Sequence, residues 1–166
     1  LTESKVVGEI VIKSPANMVG YWGNQEATEE VFNDDGWFRS GDLGYIDDGF
    51  VYIVDRVKDL VIRGGENISC IEVEAAIYSH PSVQEAAVFG IPEERLGETL
   101  CASICLKSST ELTEEEIRDF LQDKIAAYKI PSMIKIHFEE LPRVASGKFS
   151  KKQLRDEFVA IEQHTS

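Results

Sequence analysis

The sequence predicts an α+β fold in which helices flank a small β-sheet, preceded by a β-rich segment with little helix. Three Ser/Thr-x-x-Glu/Gln capping boxes each open a stretch with apolar residues at helical spacing. Apolar runs of strand length lie between these stretches. The first third of the chain has strand and turn patterning instead, and we predict that residues 1–57 and 58–166 belong to different domains.

In the first third, residues 8–13 alternate apolar and more polar side chains as a strand does. Residues 43–46 and 50–54 flank Asp47-Asp48-Gly49, a strong hairpin signal because these turn residues tolerate left-handed backbone. We expect Tyr21, Trp22 and Trp37 to be packing residues. The segment is acidic and short of helix, so we do not expect it to have a full core of its own.

From residue 58 onward the chain alternates strands and helices. A second reversal, at residues 64–67, separates strands at 60–62 and 68, and further strands are expected at 83–89, 99–106 and 133–138. Capping boxes at Ser69, Thr113 and Ser150 mark helix starts. In the helix after Thr113, the apolar residues that share one face are Ile117, Phe120, Leu121, Ile125 and Tyr128. In the helix after Ser150 they are Leu154, Phe158 and Ile161.

Composition excludes several functions. With 43% hydrophobic residues among 166, a packed core is expected, and no apolar run is long enough to span a bilayer. The net charge of −13 argues against nucleic-acid binding, which needs a basic surface. A small anionic ligand is still compatible with a local basic cluster, which comprises Arg143, Lys148, Lys151, Lys152 and Arg155.

Three cysteines fit neither a disulfide framework nor a zinc site. Cys101 and Cys105 lie in an apolar run and are expected to pack as small hydrophobic side chains. A reducing compartment follows, the cytoplasm or another such as the mitochondrial matrix. No motif among the residues predicts a metal site, and the scattered histidines match no ligand spacing.

Four segments in a fixed order resemble a known superfamily. They are residues 8–10 through 20–22, residues 36–44, residues 55–59 through 64–67, and residues 141–143 through 146–148. In this order they are similar to the adenylate-forming enzymes, which include acyl- and aryl-CoA synthetases, adenylation domains of peptide synthetases and firefly-type luciferases. The resemblance covers nearly the whole chain.

The resemblance implies a two-step activation of a carboxylate. ATP gives an acyl-adenylate and pyrophosphate, and a thiol then displaces AMP. Such enzymes have a large N-terminal domain and a small C-terminal lid domain that rotates between the steps. Residues 1–57 then correspond to the β-rich tail of the large domain and residues 58–166 to the lid, with the hinge at Lys58.

The same resemblance assigns roles to individual residues. Asp42 and Arg56 are expected to bind the nucleotide, through the ribose hydroxyls and through ribose or phosphate oxygens. Lys148 is expected to be catalytic, since its ammonium can offset charge that develops during adenylation. The loop expected to serve the thioester step and CoA comprises Gly64, Gly65, Glu66 and Asn67, a version typical of CoA synthetases.

Several parts of the active site that the resemblance implies have no counterpart in this sequence. The family's phosphate loop, its Mg²⁺-binding acid and its acyl pocket match nothing in these residues, so the chain alone is expected to be inactive and to need an N-terminal domain. ATP, CoA and a fatty or other hydrophobic acid are the expected substrates. Two alternatives remain open, an adenylation domain that loads a carrier protein and a stand-alone non-enzymatic module. The sequence does not indicate an oligomeric state.

Overall fold

A computed structural model describes residues 5–108 and 110–165, with side chains described up to residue 160. The chain divides into two compact units, Leu1–Lys58 and Asp59–Ser166. Within the described residues no helix is both long enough and apolar enough to cross a membrane.

The first unit is built on a three-stranded antiparallel sheet in the order β1-β2-β3. Its strands are β1 (Gly8–Ile12), β2 (Phe38–Asp47) and β3 (Phe50–Arg56), so the predicted strand and hairpin are confirmed. A short helix, α1 (Gln25–Val31), was not predicted. Its N-cap is Asn24, whose side chain accepts from the Ala27 amide, and it has no buried residue that would have produced an apolar stripe.

The first unit has almost no interior. None of its described hydrophobic residues is buried, and large side chains such as Phe50 are exposed. The prediction that the three aromatic residues serve as packing residues is wrong within this unit, since Trp22 is fully exposed and Tyr21 and Trp37 are exposed as well. In residues 5–58, a single sheet with one short helix provides no second layer against which aromatic rings could pack.

The second unit contains a five-stranded sheet with β7 (Gly97–Leu106) at its centre. On one edge β7 pairs antiparallel with β6 (Val83–Glu93) along its whole length. On its other edge, β7 pairs antiparallel with β4 (Val61–Arg63) at its first residue, Gly97. Further along the same edge, residues 101–105 of β7 pair in parallel with β8 (Met133–His137). The strand β5 (Glu66–Ile68) extends the sheet beyond β4 as the predicted second reversal.

Helices cover both faces of this sheet, because successive strand residues point to opposite sides. One core contains residues of α2 (Cys70–Tyr78) and α3 (Glu114–Gln122), packed on even-numbered residues of β6 and β7. Val83 belongs to the same core, because the β6–β7 pairing shifts register between Val83 and Glu85. The other core contains residues of α4 (Lys151–Thr165), packed on odd-numbered residues of the same strands. Phe89 and Phe158 meet edge to face in this second core, with ring centroids 5.3 Å apart.

The three predicted helix starts are confirmed, but one helix is shorter than its apolar pattern. Thr113 and Glu116 form a complete capping box. Because α3 ends at Gln122, Ile125 packs on the core from beyond the helix, and Tyr128 lies in a separate 3₁₀ turn and is exposed. In α4, Leu154 and Phe158 are buried as predicted, whereas the side chain of the third predicted residue, at position 161, lies outside the described residues.

All three cysteines are buried, and none of them forms a disulfide. Burial raises the pKa of the Cys105 thiol, and the negative charges of Glu85 and Glu140 raise it further. Cys101 and Cys105 therefore pack as small hydrophobic side chains, as the sequence predicted.

Candidate functional site

The two residues predicted to bind a nucleotide, Asp42 and Arg56, are cross-strand neighbours in the β2–β3 hairpin. Arg56 Nε donates to Asp42 Oδ1 over 3.1 Å, and the side chains are 58% and 28% exposed. The backbone of Arg56 is held by a local hydrogen bond, because its amide donates to the buried carboxylate of Asp55 over 2.7 Å. The hairpin thus presents a carboxylate from the middle of β2 beside a guanidinium from the last residue of β3.

The backbone before Asp42 is held in an irregular conformation. Ser40 Oγ donates to the Ile10 carbonyl over 2.6 Å and accepts from the Asp42 amide over 3.0 Å. The β2–β3 pairing shifts register between Leu43 and Gly44, one residue beyond Asp42. A bulge of this kind changes the direction in which neighbouring side chains project, and it bends the strand locally.

Lys58 lies in a short 3₁₀ turn, Val57–Asp59, and is exposed. It is the last residue of the first unit, and Asp59 is the first residue of the second. The Asp59 carbonyl accepts from the Cys70 thiol over 2.9 Å, which fixes the chain at the start of the second unit.

The predicted thioester-step loop forms the turn between β4 and β5. Gly64 and Gly65 have φ angles of 60° and 88°, left-handed values that glycine adopts without strain. The Gly64 amide donates to the Leu96 carbonyl over 2.8 Å, so the base of the turn is hydrogen-bonded to the turn between β6 and β7. Glu66 and Asn67 are exposed at the far side of the turn.

Lys148 follows a tight turn in which the Gly147 amide donates to the Val144 carbonyl over 2.8 Å. Gly147 has a φ of 82°, which explains why a glycine precedes the lysine. The Val144 amide in turn donates to the Lys148 carbonyl over 2.9 Å. Lys148 is exposed, and no hydrogen bond or ion pair joins its ammonium to another described residue.

Most of the predicted basic cluster is engaged by neighbouring groups. Arg143 forms an ion pair with Glu85, and Lys151 lies 3.2 Å from a carboxylate oxygen of Glu74. Arg155 Nε donates to the Gly90 carbonyl over 3.1 Å. The positive charge available to a ligand is therefore concentrated at fewer positions than the sequence pattern indicates.

Sequence reasoning missed Glu85. This carboxylate is 7% exposed and accepts from the Leu141 amide over 2.7 Å as well as from Arg143. An acidic residue inside an otherwise apolar strand run was the available signal, because a buried charge requires a partner. Glu85 connects β6 to the segment that carries Lys148.

Asp42 and Arg56 lie together in the first unit, whereas the Gly64–Gly65 turn and Lys148 lie on different loops of the second. Among the described residues no group of three or more His, Cys, Asp or Glu is arranged to hold a metal ion. An open groove of about 710 Å³ between α3 and β8 contains none of the predicted site residues.

Comparisons with known proteins show what this chain is similar to. The family described as AMP-binding enzyme C-terminal domain matches residues 72–148. The chain is 44% identical over 165 residues to "Medium-chain acyl-CoA ligase ACSF2, mitochondrial" of Bos taurus, covering 99% of this chain and 26% of that protein. It is also 44% identical over 154 residues to "Long-chain-fatty-acid--CoA ligase FadD13" of Mycobacterium tuberculosis, covering 92% of this chain and 30% of that protein.

A solved structure is also similar to this chain. The crystal structure of ATP-bound MatB from Rhodopseudomonas palustris matches with a TM-score of 0.87 and 36% sequence identity, covering 94% of this chain and 31% of MatB. The chain thus spans between 26% and 31% of the length of these three proteins.

Proposed function

Since this chain belongs to the family of adenylate-forming acyl-CoA ligases and AMP-binding enzymes, we propose that it is the C-terminal part of an ATP-dependent acyl-CoA synthetase. In the first step a carboxylate oxygen attacks the α-phosphorus of ATP and pyrophosphate leaves. In the second step the sulfur of CoA attacks the acyl carbonyl, loses its proton, and AMP leaves.

The observation that carries the proposal is the placement of Lys148 at the exposed end of a hydrogen-bonded turn. An ammonium presented in this way can approach the α-phosphate and carboxylate oxygens, where negative charge builds during adenylation. Electrostatic stabilisation of that charge needs no proton transfer, so an ordinary lysine suffices. The second step leaves Lys148 without such a role, because pyrophosphate has already departed.

The test removes the ammonium from the full-length protein. Lys148→Ala should slow adenylation about 10²–10³-fold, on the order of 2–4 kcal/mol of lost stabilisation. Thioester formation from supplied acyl-adenylate and free CoA should be largely spared. Lys152→Ala is the matched control, because it removes the same charge from an exposed residue four positions further on. An equal loss in both half-reactions would contradict the assigned role.

The pairing of Asp42 with Arg56 supports a nucleotide-binding role for both. The carboxylate oxygen that Arg56 does not engage could accept from a ribose hydroxyl, and the remaining guanidinium donors suit ribose or phosphate oxygens. Their ion pair costs little to rearrange around a ligand, because it is largely exposed. We infer that ATP, and then AMP, is bound at this end of the hairpin.

We propose that residues 1–57 belong to the large N-terminal domain, that residues 58–166 form the lid, and that Lys58 is the hinge. The location of Lys58 in a short 3₁₀ turn between the two compact units supports this division. Hinges are a few residues at the ends of elements that absorb a backbone rotation. The N-terminal domain of the same protein is then the partner that completes the site.

We propose that the loop of Gly64, Gly65, Glu66 and Asn67 borders the CoA site in the thioester step. Its two left-handed glycines keep the backbone bare, so that another chain or a ligand can approach closely. The relatives' names, a medium-chain and a long-chain fatty acid ligase, support a fatty or other hydrophobic acid as the acyl substrate.

A carrier-loading adenylation domain and a stand-alone non-enzymatic module are the alternatives. The net charge of −13 weighs against docking of an acidic carrier protein. Turnover with free CoA in the experiment above separates the three, because only an acyl-CoA synthetase uses CoA without a carrier.

Two further features belong to the whole protein. We propose that Mg²⁺ accompanies ATP in the full-length protein and is held by residues of the N-terminal domain. The three buried cysteines, none of which is in a disulfide, support a reducing compartment, either the cytoplasm or, as the name of the bovine relative indicates for that protein, the mitochondrion.

A further inference from the structure

Glu85 is a carboxylate inside strand β6, on the face of the sheet that α4 covers. It is 7% exposed, and its strand neighbours on the same face, Ala87 and Phe89, are fully buried. A carboxylate in such surroundings is costly unless charged and polar partners surround it. Both its oxygens are engaged by the same short segment, one by the Leu141 amide and the other by the Arg143 guanidinium.

Arg143 extends this connection to the turn that carries Lys148. While one terminal nitrogen donates to Glu85, the other donates to the Gly147 carbonyl over 2.7 Å. The guanidinium also lies over the Phe149 ring, 4.5 Å from its centroid. A single planar side chain therefore links a buried carboxylate of the sheet to the peptide group directly before Lys148.

We propose that the Glu85–Arg143 pair positions Lys148 for adenylation, an inference that rests on the adenylation role proposed above. The lysine side chain is long and flexible, so the region that its ammonium samples depends on where its backbone is held. Misplacement of a reacting group by about 1 Å can cost about 10²-fold in rate. Glu85 and Arg143 are positioning residues in this scheme, since they act through Lys148.

The experiment uses the full-length protein and compares two arginines of the same unit. Arg118 is the matched control, because it also binds a carboxylate, that of Glu114 over 3.2 Å, and a backbone carbonyl, that of Ser132 over 3.0 Å. Arg143→Ala should slow single-turnover adenylation by tenfold or more, up to about 10²-fold, and leave thioester formation from supplied acyl-adenylate unchanged. Arg118→Ala should leave both half-reactions unchanged.

A double variant tests whether Arg143 acts through the lysine. If it does, Arg143→Ala combined with Lys148→Ala should adenylate no more slowly than Lys148→Ala alone. A multiplicative slowdown would overturn the proposal, since it would mean that Arg143 acts on the reaction independently. A rate for Arg143→Ala equal to that of Arg118→Ala would overturn it as well.

Arg143→Lys keeps the inference testable if Arg143→Ala fails to fold. It retains a positive charge beside Glu85 but lacks the fork that reaches Gly147 at the same time. A wild-type adenylation rate in this variant would overturn the positioning role. The proposed function fails separately, if Lys148→Ala itself adenylates at the wild-type rate.

Discussion

Phe158 should be one of the most important residues for the stability of the second unit. Its ring is 1% exposed and meets Phe89 edge to face at 5.3 Å. Phe158→Ala should cost about 3–5 kcal/mol, since a buried ring is lost and a cavity remains. The aromatic pair accounts for about 0.5–1.5 kcal/mol of this loss. A unit of this size has roughly 5–15 kcal/mol of stability in total, so much of the margin would disappear.

Phe138→Ala is the matched control, because the same ring is removed from a residue that is 92% exposed. Urea unfolding should be followed by far-UV circular dichroism, since α2, α3 and α4 all lie in the second unit. Tryptophan fluorescence would report the first unit instead, because both tryptophans, Trp22 and Trp37, lie there. The midpoint of Phe158→Ala should fall by about 1 M urea or more. Equal midpoints for the two variants would refute the assignment of a core between α4 and the sheet.

Two further predictions concern the second unit. Burial lowers the pKa of His137, and the charge of Lys135 lowers it further, whereas the charge of Glu157 raises it. Just below pH 6.5 the unfolded chain therefore binds more protons than the folded chain does. The free energy of unfolding should consequently fall as the pH drops from about 7 to 5. The decline in urea midpoint over that range should be smaller in His137→Gln, and an identical decline would show that another group is responsible. Thr113→Ala removes the capping box of α3 and should cost about 1 kcal/mol in urea unfolding, whereas replacement by Ser should restore most of it.

Local patterns in the sequence were sufficient for most of the second unit. The three capping boxes marked the starts of α2, α3 and α4, because a cap is satisfied by residues within one turn. The Asp47-Asp48-Gly49 hairpin and the Gly64–Gly65 turn were predicted for the same reason, since backbone conformation at glycine is a local property. The apolar spacing continues beyond the end of α3, at Ile125 and Tyr128, so periodicity overestimated the length of this helix.

The residues of the candidate site were predicted from the sequence, whereas the contacts between them were not. The sequence by itself predicted which residues would take part in nucleotide binding and acyl activation, Asp42, Arg56 and Lys148, because their motifs are contiguous. Only the tertiary structure decided that Asp42 and Arg56 are paired across two strands and that Glu85 holds the lysine turn through Arg143. Glu85 and Arg143 are 58 positions apart in the chain, and a contact between such distant residues depends on how α4 and its preceding loop pack on the sheet, which no local pattern encodes.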